Sequence, residues 1–357
     1  MAITGNKGEW SEIYAFLRLL ADGKLFAADE QLNRIQEVFF PIIKIIRQET
    51  LGTPYEYRSN DTEVEVYLDG RQVLHLPTTR FGDEADLLLD EINAHSKGSG
   101  AFEVARTESF IRGIHVNRLK APSSDKSDIT IQIHDINTGF KNIVGFSIKS
   151  ELGMPPTLLN AAGTTNLIYK VDGLDKRHIA QINSIETRRK IRDRITAISD
   201  YNGKLVFRNT ESPEFNDNLI MIDSQMPSIV AEMLIGYYSG VATECAELVR
   251  YVSQKDPLSL SVDFYRHKVK EMLCAVALGM KPATKWDGTD EASGGYIIVR
   301  RNGDVLAYHI YNRNAFRSYL LNNTKFESAS SDRHGYGLLY DESGEIRIKL
   351  NLQVRFV

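Results

Sequence analysis

A chain of 357 residues with 42% hydrophobic and 25% charged content has ordinary globular composition, which excludes wholesale disorder and allows one large domain or two. The net charge of -4 excludes a uniformly basic surface, so any nucleic-acid contact has to come from locally concentrated Lys and Arg. Only Cys245 and Cys274 occur, too few for a disulfide framework or a four-cysteine zinc site; no charged-then-apolar leader and no apolar run of membrane-spanning length is found, so a reducing cytoplasm is expected.

The first predicted element is an amphipathic helix over 10–20, where Ile13, Phe16, Leu17 and Leu20 recur at helical spacing, started by Ser11 or Gly8 and ended by Gly23. A second helical segment is read over 29–49, broken near Pro41 and apolar through Phe39, Phe40, Ile42, Ile43, Ile45 and Ile46. From Pro54 the pattern turns to strands. Val64, Val66 and Leu68 alternate with Glu63, Glu65 and Tyr67, Asp69-Gly70 makes a hairpin turn, and the return through Val73 and Leu74 closes at Pro77. Helices are then expected over 84–94 and 101–112, separated by the small residues of 96–100.

The stretch Ser127 to Glu151 reads as two antiparallel strands. Ile129, Ile131 and Ile133 alternate with Asp128, Thr130 and Gln132, and Val144, Phe146 and Ile148 alternate with Gly145, Ser147 and Lys149. Asn137-Thr138-Gly139 supplies the turn, and a turn centred near Thr138 and Gly139 sets Asp128 opposite Lys149. A carboxylate and an ammonium on one face of a hairpin are what metal-dependent phosphodiester hydrolysis requires. The carboxylate holds a hard cation through oxygen, and the lysine orients or deprotonates the attacking water and counters developing negative charge. The same two residues also fit an ordinary solvated pair. What favours chemistry is that the polar face continues through Thr130, Gln132 and Ser147, and that Glu151 follows two residues after the lysine. Asp125, in the loop before the hairpin, is a less constrained alternative ligand. His134 and Asp135 lie at the turn end, away from Asp128, and are not read as catalytic.

Beyond Glu151, Pro155-Pro156 breaks any helix, and a short strand is expected over 167–171. Asn160, Thr164, Thr165 and Asn166 are small hydrogen-bonding residues beside the proposed site, suited to phosphate oxygens or base edges, and equally suited to capping turns. The densest basic run lies between Lys176 and Arg194. Arg188, Arg189, Lys190, Arg192 and Arg194 there stand against an apolar stripe of Ile185, Ile191, Ile195 and Ile198, so the arginines are expected to project from a helix toward a phosphate backbone or toward solvent. An apolar strand is read over 218–222 and helices over 228–238, 243–252 and 262–278, a layer that covers a sheet or forms a dimer interface. Both cysteines belong to it. Strands over 296–301 and 305–311 flank Asn302-Gly303, a strong hairpin signal. Arg333, in Arg333-His334-Gly335-Tyr336-Gly337 before a strand at 338–340, is a candidate guanine reader or a surface residue of a glycine-rich turn.

These residues also carry a family resemblance. Asp128 followed by Ser147-Ile148-Lys149 resembles the Asp, then (Asp/Glu)-x-Lys, motif of the PD-(D/E)xK nuclease superfamily. More specifically, GFSIKSELGMPPTLLNAAGTTNLIYKV, GEWSEIYAFLRLLADGKLFAAD, RHGYGLLY and IKLNLQVRF resemble the HpaII family of type II restriction endonucleases, through most of the chain. The resemblance implies an α/β (α+β) fold with a mixed central β-sheet flanked by helices. It implies a nuclease core within 1–200 and a C-terminal α+β, DNA-gripping portion over 201–357, or one domain in all. It further implies cleavage of double-stranded DNA at CCGG with Mg2+, alongside a cognate DNA methyltransferase, and a palindromic target favours a homodimer. Asp128 would bind the metal, Ser147 would support a metal-bound water, and Lys149 would position the attacking water. Ser147 departs from the superfamily pattern, because a hydroxyl replaces the second acid. Glu151, or Glu9 or Glu12 on the first helix, stands open as its substitute. Two rival readings are a sequence-specific DNA-binding protein without catalysis and a repair nuclease of the same superfamily.

Overall fold

The computed structural model describes residues 2–49, 54–96, 100–120, 127–136, 139–256, 258–309 and 313–357. Asp125 and the Asn137-Thr138 turn therefore lie outside the described residues. The architecture is mixed α/β. Two compact units make it up: residues 1–156 with 290–316, and residues 157–289 with 317–357.

The first unit is built on a nine-stranded mixed sheet. Its order is Lys24–Ala28, Val305–His309, Gly295–Val299, Lys141–Ser150, Ile129–His134, Arg34–Arg47, Tyr55–Ser59, Glu63–Leu68 and Arg71–Pro77. Lys24–Ala28 also pairs antiparallel with Arg34–Arg47, so the first six of these strands close into a barrel-like ring. Two of the ring's pairings are parallel: Gly295–Val299 with Lys141–Ser150, and Val305–His309 with Lys24–Ala28. The central hairpin lies within this ring, with Ile129 opposite Phe146 and Ile131 opposite Val144. Its apolar face is core, because Ile129, Ile131, Ile133, Phe146 and Ile148 are all buried.

Residues 29–49 are not helical, as the sequence reading expects, but mostly the long strand Arg34–Arg47. The physical reason lies in composition. The run is dominated by isoleucine and phenylalanine, which suit a pleated surface, and Pro41 lacks the N–H that a helix interior needs. In the strand Pro41 pairs with Lys24, next to a register shift between Ile42 and Lys44, which is where a sheet tolerates proline.

The helix Lys7–Asp22 packs against the sheet and against the helix Thr78–Ala94. Its start is set by Asn6, not by Ser11 or Gly8. Asn6 Oδ1 accepts from Glu9 N at 3.1 Å, and Glu9 Oε2 accepts from Asn6 N at 2.6 Å, a reciprocal capping box worth about 1 kcal/mol. Gly23, at φ 62°, ends the helix with its N–H on the Leu19 carbonyl. Trp10, Ile13, Phe16, Leu17 and Leu20 are fully enclosed, each such burial contributing about 1.5–3 kcal/mol.

The second unit carries a four-stranded antiparallel sheet in the order Lys204–Thr210, Asn166–Asp172, Glu345–Asn351, Leu339–Glu342. A three-stranded sheet joins Thr157–Leu159, Val354–Phe356 and Thr324–Phe326. Helices Pro213–Ile222, Met226–Tyr238, Cys245–Lys255 and Val262–Leu278 pack with them, and both cysteines are buried thiols. The expected strand over 218–222 is the end of the helix Pro213–Ile222. Ser212 caps that helix by accepting from Phe215 N at 3.2 Å, and a short apolar run alone does not distinguish the two conformations. Among the described residues no single helix is long and apolar enough to cross a membrane.

Candidate active site

Asp128 enters the hairpin just before its first strand, donating its N–H to the Phe146 carbonyl at 2.9 Å. The register ends with Ile129 opposite Phe146, and the Asp128 N–H meets the same Phe146, so Asp128 lies beside Phe146 and Ser147 and not opposite Lys149 as the turn suggests. The consequence is a specific pair of hydrogen bonds. Asp128 Oδ2 accepts from Ser147 Oγ at 3.0 Å and from Ile148 N at 2.6 Å. Its other oxygen accepts no hydrogen bond among the described residues. The serine in the acid's place therefore fixes the carboxylate that precedes it.

Lys149 is two residues further along the strand from Ser147, so it shares that residue's side of the sheet. Its Nζ makes no hydrogen bond or ion pair among the described residues and lies 5.5 Å from the ring centroid of Tyr296, on the neighbouring parallel strand. Burial pushes the Lys149 ammonium below the usual lysine range, against the opposing charges of Asp128 and Glu12.

Glu12 completes the group. It projects from the helix Lys7–Asp22 into a cavity of about 290 Å³ that Lys149, Ser150, Asn6 and Lys7 also line. The helix is tied to the strand by Ser11 Oγ and Ser150 Oγ, 2.8 Å apart. Burial, then the nearby Asp128 charge, raises the Glu12 carboxyl to about 8, although Lys120 and Arg47 pull the other way. No hydrogen bond to Glu12 occurs among the described residues. Glu9, the other acid weighed on this helix, is committed elsewhere: its carboxylate receives Lys120 Nζ at 2.8 Å and the Asn6 N–H. Partial burial raises it, but those two contacts bring it below the ordinary glutamate value.

Glu151 is not brought to this group. Its N–H continues the ladder to Val299 at 2.9 Å, and its Oε2 accepts from Arg301 N at 3.4 Å. It does not line the cavity. Nor is there, among the described residues, any cluster of three or more His, Cys, Asp or Glu placed to hold a metal ion. The carboxylates that converge are Asp128 and Glu12. A sequence signal for Glu12 did exist, because it is an acid set directly between buried Ser11 and buried Ile13 on a helix that is otherwise core.

An acid and a lysine lining one cavity, with the Asp128 charge acting on both, suit hydrolysis but do not by themselves name an enzyme. The sequence does. A family model described as HpaII restriction endonuclease matches residues 6–356. The chain is also 40% identical, over 359 residues, to the type II restriction enzyme HpaII of Haemophilus parainfluenzae, covering 99% of each protein. The chain belongs to the HpaII restriction endonuclease family. No solved structure matches it.

The remaining candidates of this HpaII-family chain lie in the second unit and divide sharply. Thr165 and Asn166 are buried in a polar network. Asn351 Nδ2 donates to Thr165 Oγ1 at 3.1 Å and to Asn166 Oδ1 at 2.7 Å, while Asn166 Nδ2 reaches Glu211 at 2.7 Å and the His334 carbonyl at 2.9 Å. Thr164 is half-buried in the short turn Gly163–Thr165. Asn160 and Arg333 are exposed and line one groove. Arg188 and Arg189 are exposed ahead of the helix Lys190–Asp200. Arg194, expected to project with them, turns inward. At 1% exposure it donates to the carbonyls of Gly337, Asn183 and Ile185 and pairs with Glu186 at 2.6 Å, so it holds the fold together.

Proposed function

We propose that this protein hydrolyses phosphodiester bonds of double-stranded DNA at CCGG, with Asp128, Ser147, Lys149 and Glu12 as its working group. As a member of its family it is a type II restriction enzyme, a site-specific deoxyribonuclease. The observation that carries the residue assignment is the raised Glu12 carboxyl beside a hydrogen-bonded Asp128 and a lysine without an ion-pair partner among the described residues.

The buried Glu12 carboxyl and the Asp128 carboxylate, near enough for its charge to raise Glu12, form a hard-oxygen donor set that fits a divalent cation such as Mg2+, and these two would hold it. When bound, such a cation supplies positive charge that polarises a phosphoryl group and makes water a better nucleophile. The protein's own part is positional. Ser147 Oγ and Ile148 N–H fix the Asp128 carboxylate, leaving one oxygen for a ligand. Lys149, its proton loosened by burial, orients the attacking water or accepts its proton, and in its charged form counters negative charge on the phosphate.

In this reading Asp128 and Ser147-Ile148-Lys149 take the part of the PD-(D/E)xK motif, with Glu12 contributing the charge that serine lacks. Glu151 stays a more distant candidate for the same role. The core of the reaction falls within residues 1–200 and the DNA grip within 201–357, where Arg333 is the candidate reader. A methyltransferase protecting the same target and a two-fold dimer on a palindrome accompany this function, and a cytoplasmic setting fits it. Digesting a DNA of known sequence in Mg2+ and mapping the ends tests the proposal. Ends only at CCGG support it, ends without fixed sequence point to a repair nuclease, and intact DNA bound at one sequence points to a binding protein.

A further inference from the structure

In the second unit a groove of about 490 Å³ opens between residues 160–161, the segment 327–334 and the strand end Gln353–Arg355. Asn160, Arg333 and Gln353 contribute side chains to its wall that make no hydrogen bond or ion pair among the described residues. Arg355, by contrast, is already placed, its Nε 2.9 Å from Glu327 Oε2.

Arg333 is an uncommitted guanidinium on a rigid mount. It belongs to the one-turn helix Ser331–His334, started by the Ser330 side chain and stopped by Gly335 at φ 64°. Tyr336 fastens the turn from one side, its hydroxyl donating to the Ala329 carbonyl at 2.7 Å. Asn166 fastens it from the other, its amide donating to the His334 carbonyl at 2.9 Å. Asn166 is itself locked by Asn351 and Glu211. A backbone so thoroughly tied fixes the point from which the Arg333 side chain leaves the fold, and a fixed base of that kind suits base reading more than diffuse backbone attraction.

We infer that Arg333 reads a guanine of the target through its major-groove edge, and that Asn166 is the positioning residue that holds it there. The inference rests on the site-specific DNA reading above and assigns its specificity. The planar fork of two N–H groups matches the adjacent O6 and N7 acceptors of guanine. Asn166, weighed from sequence as a DNA contact, acts here through a carbonyl and touches no base.

The test uses the full chain with Lys149→Ala to keep duplexes intact, selecting from a library with four randomised base pairs and sequencing what binds. The parent should enrich one sequence. Adding Arg333→Ala should relax the preference at a guanine position at least 10-fold while leaving other positions and the salt dependence unchanged. Arg333→Lys, which keeps the charge but not the fork, should relax it similarly. Because Arg333 is exposed, both variants should keep the parent's melting temperature. Uniform weakening on every sequence by Arg333→Ala, restored by Arg333→Lys, would show a backbone contact and overturn the inference. So would an unchanged preference. A parent with no preference at all overturns the site-specific reading itself, whereas a parent preferring a sequence other than CCGG overturns only the target assigned above.

Discussion

Asp128 accepts a hydrogen bond at 3.0 Å from the hydroxyl of Ser147, which lies on the adjoining strand of the hairpin. The serine that stands where the PD-(D/E)xK motif would have its second acid thus has a definite physical role, sharing with the Ile148 N–H the work of aiming Asp128. Ser147→Ala should keep the fold and keep cleavage, but slow it. A hydrogen bond to a charged carboxylate contributes about 1.5–3 kcal/mol, so the single-turnover rate at subsaturating Mg2+ should fall by about 10- to 100-fold. A Ser147→Ala enzyme as fast as the parent contradicts that role.

Glu12 links pH to stability. Its folded pKa, raised to about 8, lies above its ordinary value of 4.5, so the folded state holds this proton across a range where the unfolded chain has released it. Stability from this group is therefore complete below pH 4.5 and is lost as pH rises through about 8. In metal-free buffer Glu12→Gln should flatten that decline and stabilise the protein at pH 8, by an amount on the order of a few kcal/mol. Mg2+ should raise the melting temperature of the parent more than that of Glu12→Gln. Denaturant titrations at pH 5 and pH 8 check the first outcome, and equal metal responses would contradict the second.

The alternation of Ile129, Ile131 and Ile133 with polar residues makes the hairpin readable and puts Asp128 and Lys149 on one side. Its register differs by two residues from the one the turn suggests, because a slip of two preserves every face and so leaves no trace in a period-2 pattern. Closure of the six-stranded ring is not legible. It depends on Lys24–Ala28, too short a run to announce itself, and on parallel pairings between segments far apart in sequence. Sequence leaves Glu12 as one of several open acids, since only packing of the first helix on the sheet separates it from Glu9, which Lys120 occupies. In the basic run, the charges are legible but their directions are not. Arg194 sits one helical turn after Lys190 yet points inward, where the carbonyls of Asn183, Ile185 and Gly337 converge.

That difference in direction predicts opposite phenotypes within one stretch of sequence. Arg194→Ala should strand three carbonyls and the partner Glu186, and lower stability by about 3 kcal/mol or more, seen as a lower midpoint in urea. Arg188→Ala with Arg189→Ala should leave that midpoint within about 0.5 kcal/mol of the parent, since both side chains are exposed. If they touch the phosphate backbone, the pair should reduce the slope of log affinity against log salt by about 2. Reversed results would mean that the assignment of the two roles is wrong.

The central claim is that Lys149 serves the chemistry and not the hairpin. Its most direct measurement compares the parent with Lys149→Ala on a CCGG duplex in Mg2+, following cleavage and binding in parallel. Loss of cleavage by a factor of about 10² or more with binding affinity held is the predicted result. Cleavage at the parental rate by Lys149→Ala would contradict it.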